Sequence, residues 1–237
     1  MRKLKKVLFW ALMTLLAALL VAGSVFLLQG YRLYKSALEE DPLAEKVAAI
    51  QSRASYVTMA ELPAIYKDAV IAAEDHRYYA HKGVDPIGIA RALWVDLTTW
   101  SLREGGSTIT QQLAKNLYFP QNNSPARKIA EMFMAFKLER DYGKEVVLDL
   151  YINSIYYGSG YYCIYDAAQG YFDKEPAALT AYECTLLAGI PNAPSVYAPT
   201  VNPDLAAQRH GQVLDKMVRN GYLTQEEAEE IQNEKDL

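Results

Sequence analysis

Residues Val70 to Asp85 read VIAAEDHRYYAHKGVD, an apolar run that delivers an acidic pair, Glu74-Asp75, to an aromatic and histidine-bearing segment. Ile65, Ala69, Val70, Ala72 and Ala73 recur at helical spacing, so the pattern predicts a helix over Pro63 to Asp75 with Glu74 at its C-terminal end. Apolar neighbours and the negative end of the helix dipole both disfavour the charged form of a carboxylate placed there, as a general base requires. A second reading has Glu74 and Asp75 pairing with Arg77, His81 or Lys82 on a solvated turn, and the helix alone does not choose between the two.

On the N-terminal side, Arg2, Lys3, Lys5 and Lys6 precede Val7 to Leu28, a run without a single charge. At about 1.5 Å per residue such a run crosses a hydrocarbon core of about 30 Å, and it is longer than the apolar region of a cleaved signal peptide. The basic flank places Met1 in the cytoplasm and everything after Gln29 outside. The first 28 residues hold four of the 24 Lys and Arg and none of the 28 Asp and Glu, so the remainder carries 20 against 28, a formal charge of −8. An acidic body beside a negatively charged membrane argues against nucleic acid as the partner and against purely electrostatic lipid binding. Cys163 and Cys184 are the two cysteines; both lie in apolar or aromatic segments and read as buried free thiols. Gln29 to about Ala54 reads as a juxtamembrane helix followed by a connector, broken at Glu39-Glu40-Asp41-Pro42.

On the C-terminal side, Ile87 to Leu102 is strongly apolar and carries Trp94 and Trp100; it suits either a buried core helix or a membrane interface. Gly105-Gly106 opens Ser107-Thr108-Ile109-Thr110-Gln111-Gln112-Leu113-Ala114-Lys115-Asn116, in which Thr108 and Gln111 fit a capping box. That arrangement predicts a helix whose free N-terminal N–H groups favour anions, with Thr108, Gln111 and Lys115 on one polar face. Pro125 starts a third helix whose buried stripe is Ile129, Met132, Phe133 and Phe136. Arg127 and Glu131, four apart on it, form either a solvent-facing pair or a carboxylate flanked by cations in a cleft. Lys144 to Tyr157 continues as helix until Gly158, further helices follow over Ala167 to Phe172 and Thr180 to Ile190, one runs from Pro203 to about Asn220, and Thr224 with Glu227 caps the last. Strand signals are weak throughout, so the external part is predicted to be mainly α.

The order of these stretches, over about Tyr56 to Asn220, resembles the peptidoglycan glycosyltransferase family, that is, the monofunctional transglycosylases and the glycosyltransferase modules of class A penicillin-binding proteins. Five motifs carry the resemblance. Glu74-Asp75 with Tyr78, His81 and Gly83 is similar to the first, with Tyr78 where the family usually has Phe. Gly106 to Asn116 matches the second, and Arg127-Lys128 with Glu131 the third. Lys144 to Asn153 with Tyr157-Gly158 resembles the fourth, Asp149 standing for the usual Glu and Ile152 for Leu; Glu183 to Tyr197 resembles the fifth. Two departures stand out: Asn123 where the family usually has a further Arg, and Cys163 where it usually has Gly.

The resemblance implies a lysozyme-like, mainly helical large lobe with a smaller membrane-proximal lobe, and one N-terminal transmembrane helix. The corresponding division is 1–6 cytoplasmic tail, 7–28 anchor, 29–54 juxtamembrane connector and 55–237 glycosyltransferase domain. It implies lipid II and a lipid-linked glycan chain as substrates, with the 4-hydroxyl of lipid II attacking C1 of the growing chain and undecaprenyl pyrophosphate leaving with inversion. Glu74 would be the general base; Lys115, Arg127 and Lys128, with the helix start at Ser107 and Thr108, would stabilise the leaving pyrophosphate, and Gln111 and Gln112 would bind substrate. Glu131 would orient the cations, bind a divalent ion, or both; Asp75, His81 and Asn153 would support the site. No cofactor is required by the sequence, although some members of the family use Mg²⁺ or Mn²⁺. The implied setting is the bacterial plasma membrane, single-pass, with Ile87 to Leu102 against lipid and cell-wall synthesis proteins as further partners. With no second domain after Leu237, the chain is expected to be monofunctional. Two other classes stay open: a lysozyme-like hydrolase or lytic transglycosylase, which also uses a cleft Glu but has no leaving pyrophosphate to justify the cations, and an inactive membrane-anchored scaffold.

Overall fold

The uncharged run and the polar segment after it form one uninterrupted helix, α1 (Arg2–Glu40), in the computed structural model, which describes residues 2–99, 106–120 and 124–234. Asp41-Pro42 stops it, and the connector that follows contains a second helix, α2 (Leu43–Gln51). Then come α3 (Ala64–Glu74), α4 (Pro86–Thr99), α5 (Ile109–Tyr118), α6 (Pro125–Ile152), α7 (Ile164–Phe172), α8 (Ala181–Gly189), α9 (Pro194–Tyr197), α10 (Pro203–Arg219) and α11 (Gln225–Asn233). Among the described residues there is no strand, and the body has the mainly α, lysozyme-like character expected of it. Trp100, Leu102, Gly105 and Asn123 lie outside the described residues.

Local chemistry sets the starts of these helices. At α5, α8 and α11 a threonine hydroxyl accepts the N–H three residues on while a Glu or Gln side chain returns to the threonine N–H: Thr108 with Gln111, Thr180 with Glu183, Thr224 with Glu227. Glu183, which sequence places in an apolar stretch, is accounted for by that box and by Lys174 at 2.7 Å. Cys163 caps α7, its Sγ facing the Asp166 N–H at 3.4 Å, and both cysteines are buried free thiols. Burial pushes the Cys184 thiol up to about 12. Helix α6 is interrupted at Gly143 (φ 75°) and ends at Ile152, short of the predicted Tyr157. Asn153 ends it by turning its side chain to the backbone of Val57, accepting from its N–H at 3.0 Å and donating to its carbonyl at 2.6 Å.

The core is built where α5 lies along α6 and α3 is held between α8 and α10. Tyr66, Ile109, Leu113, Leu148 and Tyr151 fill it without solvent contact. The lower part of α1 docks on α6. A side chain at Gly30 would fall 2.5 Å from Ile129 Cβ and 2.9 Å from the Ala126 carbonyl, so only glycine permits this approach. Next to it, the rings of Tyr31 and Tyr34 pack on Phe133 at 5.3 and 5.7 Å.

Gly83 closes the turn that returns the chain from α3 towards α4. It has φ 89°, a Cβ there would meet the Ala135 carbonyl at 2.8 Å, and its own carbonyl accepts from the Thr108 hydroxyl at 2.6 Å. Gly83→Ala is therefore expected to cost about 2 kcal/mol or more, read as a lower thermal midpoint; an unchanged midpoint would contradict this account of the turn.

Candidate active site

Glu74 is the last residue of α3, as its spacing predicts, but its surroundings are polar where the sequence suggested an apolar setting. Its side chain is 5% exposed. Oε2 accepts from Gln112 Nε2 at 2.7 Å, and Arg209 Nη2 of α10 stands 3.5 Å from Oε1. That second contact is a charge contact without an aligned N–H: Oε1 and Arg209 Nη2 are both buried and neither has a hydrogen-bond partner among the described residues. Arg209 is fixed by the Gly189 carbonyl at 3.1 Å, by Gln212 Oε1 at 3.3 Å and by stacking over Tyr197. Lys216, two turns further along α10, donates to the Ala73 carbonyl at 2.5 Å.

Asp75 faces the other way. Both its oxygens lie about 3 Å from His81 Nε2, and Oδ2 accepts the N–H of Ile109 at 3.2 Å. The first N–H of α5 is thus taken by Asp75, and the Gln111 N–H goes to the Thr108 hydroxyl at 3.1 Å. The helix N-terminus expected to bind an external anion is largely filled from within, because the tertiary fold brings Asp75 against it. On the far side of the His81 ring, Lys144 points at Nδ1 at 3.4 Å, which places the ring proton on Nε2 towards Asp75. Lys144 also donates to Glu139 Oε1 at 2.6 Å, as does the Thr110 hydroxyl. Asp75 and His81 therefore join α3, α5 and the two halves of α6 from behind the cleft. Neither they nor Asn153 line it.

The cleft itself, of about 1040 Å³, is walled by the end of α3, α5, the start of α6, and α10. Seven Lys and Arg line it against two Glu: Arg91, Lys115, Arg127, Lys128, Arg209, Lys216 and Arg219 facing Glu74 and Glu131. In a body of formal charge −8, this concentrates positive charge in one concavity. Glu131 is buried, its side chain 2% exposed, with Arg127 Nη1 at 2.8 Å from Oε1 and Lys128 Nζ at 3.1 Å from Oε2. Arg127 is not aligned to hydrogen-bond Oε1, so the pair is held by charge. Lys128 also donates to Ser107 Oγ at 2.5 Å. Lys115 is exposed in the last turn of α5 and has no ion pair among the described residues. Gln111 spends its oxygen on the Thr108 N–H and leaves a buried Nε2 without a partner. Buried polar atoms without partners thus concentrate at this cleft, where they can serve a polar, anionic ligand.

Glu131 is the residue the sequence offered for Mg²⁺ or Mn²⁺. Its oxygens face two cations, and no group of three His, Cys, Asp or Glu converges among the described residues. The donor set does not fit a resident divalent ion.

Residues 41–218 match the family described as Transglycosylase. The chain belongs to the transglycosylase family. It is 42% identical over 184 residues to "Penicillin-binding protein 1A" of Neisseria flavescens, covering 78% of this chain and 23% of that protein. Similar matches are to "Penicillin-binding protein 1A" of Aquifex aeolicus (43% over 178 residues, 75% and 24%) and "Penicillin-binding protein 1F" of Bacillus subtilis (42% over 172 residues, 73% and 24%). The chain spans about a quarter of the length of these relatives.

Several residues that line the cleft have no site role in the sequence reading: Arg209, Lys216, Arg91 and His76, while Tyr197 enters it only as the end of the fifth motif. Arg209 left a trace, since it falls on the apolar stripe of α10 with Ala206, Val213 and Met217, an odd place for a cation. His76 accepts from Arg91 Nη1 at 3.2 Å across the cleft mouth. Burial, and then Arg91, hold the His76 imidazole below its usual range, so it stays neutral and can accept that bond at neutral pH.

Proposed function

We propose that this transglycosylase polymerises peptidoglycan glycan strands from lipid II. The observation that carries the reading is Glu74 Oε1, a buried carboxylate oxygen with no hydrogen-bond partner among the described residues, opening on a cleft lined by seven cations. A sugar 4-hydroxyl is a poor nucleophile, and Glu74 takes its proton as the oxygen attacks C1 of the lipid-linked growing chain. The C1–oxygen bond on the opposite side breaks with inversion, and its electron pair leaves on undecaprenyl pyrophosphate. Charge builds on that leaving group, and Lys115, Arg127 and Lys128 meet it; Glu131 holds the last two in place. Gln111 Nε2 is a buried donor available to substrate.

Both substrates are lipid-bound, and the apolar surface supports that setting. α1 is long and apolar enough to cross a membrane. On α4, Ile87 is 60%, Trp94 70% and Leu97 73% exposed, which favours the membrane-interface reading of this segment over the core reading. We place the chain in a bacterial plasma membrane, N-terminus cytoplasmic, with the cleft outside at the bilayer surface.

The hydrolase reading is weaker, because hydrolysis of a glycosidic bond releases no pyrophosphate for the cations of the cleft to stabilise. Incubating the detergent-solubilised chain in parallel with labelled lipid II and with preformed glycan separates the two. The proposal expects polymer from the first and an unaltered second; shortening of the glycan without polymer would overturn it. Lys115→Ala is expected to lower kcat about 10- to 100-fold with the fold intact. Near-normal turnover would remove Lys115 from the leaving-group role.

A further inference from the structure

Tyr151 lies in the second half of α6, entirely out of solvent, and beyond filling the core it has no part in the site as described so far. Its hydroxyl donates to Gln112 Oε1 at 3.2 Å, and the other end of that amide, Nε2, donates to Glu74 Oε2 at 2.7 Å. We infer that Tyr151 is a positioning residue for Glu74, acting through the Gln112 amide, and that it thereby leaves Oε1 as the oxygen that takes the proton. The inference rests on Glu74 being the base, and it specifies which atom acts and what holds it.

An amide can be placed in two orientations. With Nε2 towards Glu74, Gln112 donates to a carboxylate; reversed, its oxygen would face a carboxylate oxygen at 2.7 Å and its NH₂ would face the phenol. The Glu74 carboxylate, which only accepts, selects the first orientation, and Tyr151 anchors the far end of the amide by donating to Gln112 Oε1. Burial, followed by the negative charge of Glu74 nearby, raises the Tyr151 phenol well above its ordinary range, so the hydroxyl keeps its proton and stays a donor. One carboxylate oxygen is then held by a hydrogen bond, and Oε1 keeps its lone pairs unshared, with Arg209 at 3.5 Å. When the sugar hydroxyl attacks, its O–H bond breaks, the proton passes to Oε1, and Gln112 stays on Oε2 throughout. Tyr151 thereby ties the segment of α6 beyond the Gly143 interruption to the base on α3.

Tyr151→Phe removes the hydroxyl and keeps the ring, so packing is preserved. In the full chain with lipid II, kcat is expected to fall about five- to tenfold with KM within about twofold of wild type, since the hydroxyl acts on the base and not on substrate. Gln112→Ala should lose more, and adding Tyr151→Phe to it should lose nothing further, because the tyrosine acts only through the amide. An unchanged kcat in Tyr151→Phe, or losses that multiply in the double variant, would overturn the inference. A measurement that needs no activity runs beside this: by NMR, the Gln112 side-chain NH₂ protons should exchange slowly in the wild type and markedly faster in Tyr151→Phe. If the wild type makes no polymer, the proposed function falls, and the amide measurement still decides: equal exchange rates in the two proteins count against Tyr151. Should Tyr151→Phe fail to fold, Gln112→Leu must show the kcat loss with KM retained, and failure to do so likewise ends the inference.

Discussion

Glu74→Gln is expected to reduce kcat for polymerisation by about 10²- to 10⁴-fold, the range that a positioned general base contributes, while the protein folds normally and still binds lipid II. Gln has nearly the same shape and can still accept from Gln112, so packing at the end of α3 is kept. It cannot take a proton from the attacking hydroxyl. The cations proposed to meet the pyrophosphate are untouched by the substitution, so affinity for substrate should change little and the loss should fall on kcat. A variant that kept a tenth or more of wild-type kcat would remove Glu74 from the chemistry. Glu74 would then be a buried structural partner of Gln112 and Arg209 only.

The second large effect is expected at Glu131. This carboxylate is buried between Arg127 and Lys128, both of which reach solvent, with side-chain exposures of 23% and 46%. Glu131→Gln keeps the shape and removes the charge that holds the two cations at the start of α6. They should then separate, Lys128 away from Ser107 and Arg127 towards water. Charge stabilisation of the leaving group is needed most in the transition state, so kcat is expected to drop about 100-fold. The loss of stability should fall below the ~3–5 kcal/mol of a fully buried pair, at about 2 kcal/mol, because its partners are partly solvated. Steady-state kinetics and thermal denaturation on the same preparation check both parts. A lowered thermal midpoint with normal kcat would make Glu131 a structural residue only.

How much of this was readable without coordinates follows from the range of the interactions. Helix α5 was legible because Thr108 and Gln111 are three apart and cap within one turn. The end of α3 was legible because apolar residues recur at helical spacing up to Glu74. The pairing of Arg127 with Glu131 was legible for the same local reason, whereas the burial that turns it from a surface pair into a cleft feature depends on α5 lying over α6. Long-range contacts left weaker traces. Arg209 reaches Glu74 from α10, and nothing near either residue announces the other. Asp75 occupies the first N–H of α5 across 34 residues, which turned an expected anion site into an internal joint. Tyr151 is one of 18 tyrosines, and its use depends on where Gln112 points its oxygen.

Membrane placement was legible in part. The uncharged run announced α1, but its continuation to Glu40 and its docking on α6 depend on Gly30 meeting Ile129. The part of α1 that follows the uncharged run is therefore packed against the helix that bears Arg127, Lys128 and Glu131.

The central claim is that Glu74 activates a sugar hydroxyl so that a pyrophosphate-linked chain can be transferred. Its most direct test is the release of undecaprenyl pyrophosphate from labelled lipid II by the full-length chain in detergent, measured together with glycan formation for the wild type and for Glu74→Gln. The account predicts that the wild type forms one new glycosidic bond for each pyrophosphate lipid released, and that both stop together in the variant. Release that continues unchanged in Glu74→Gln, or glycan formation without release, would contradict it.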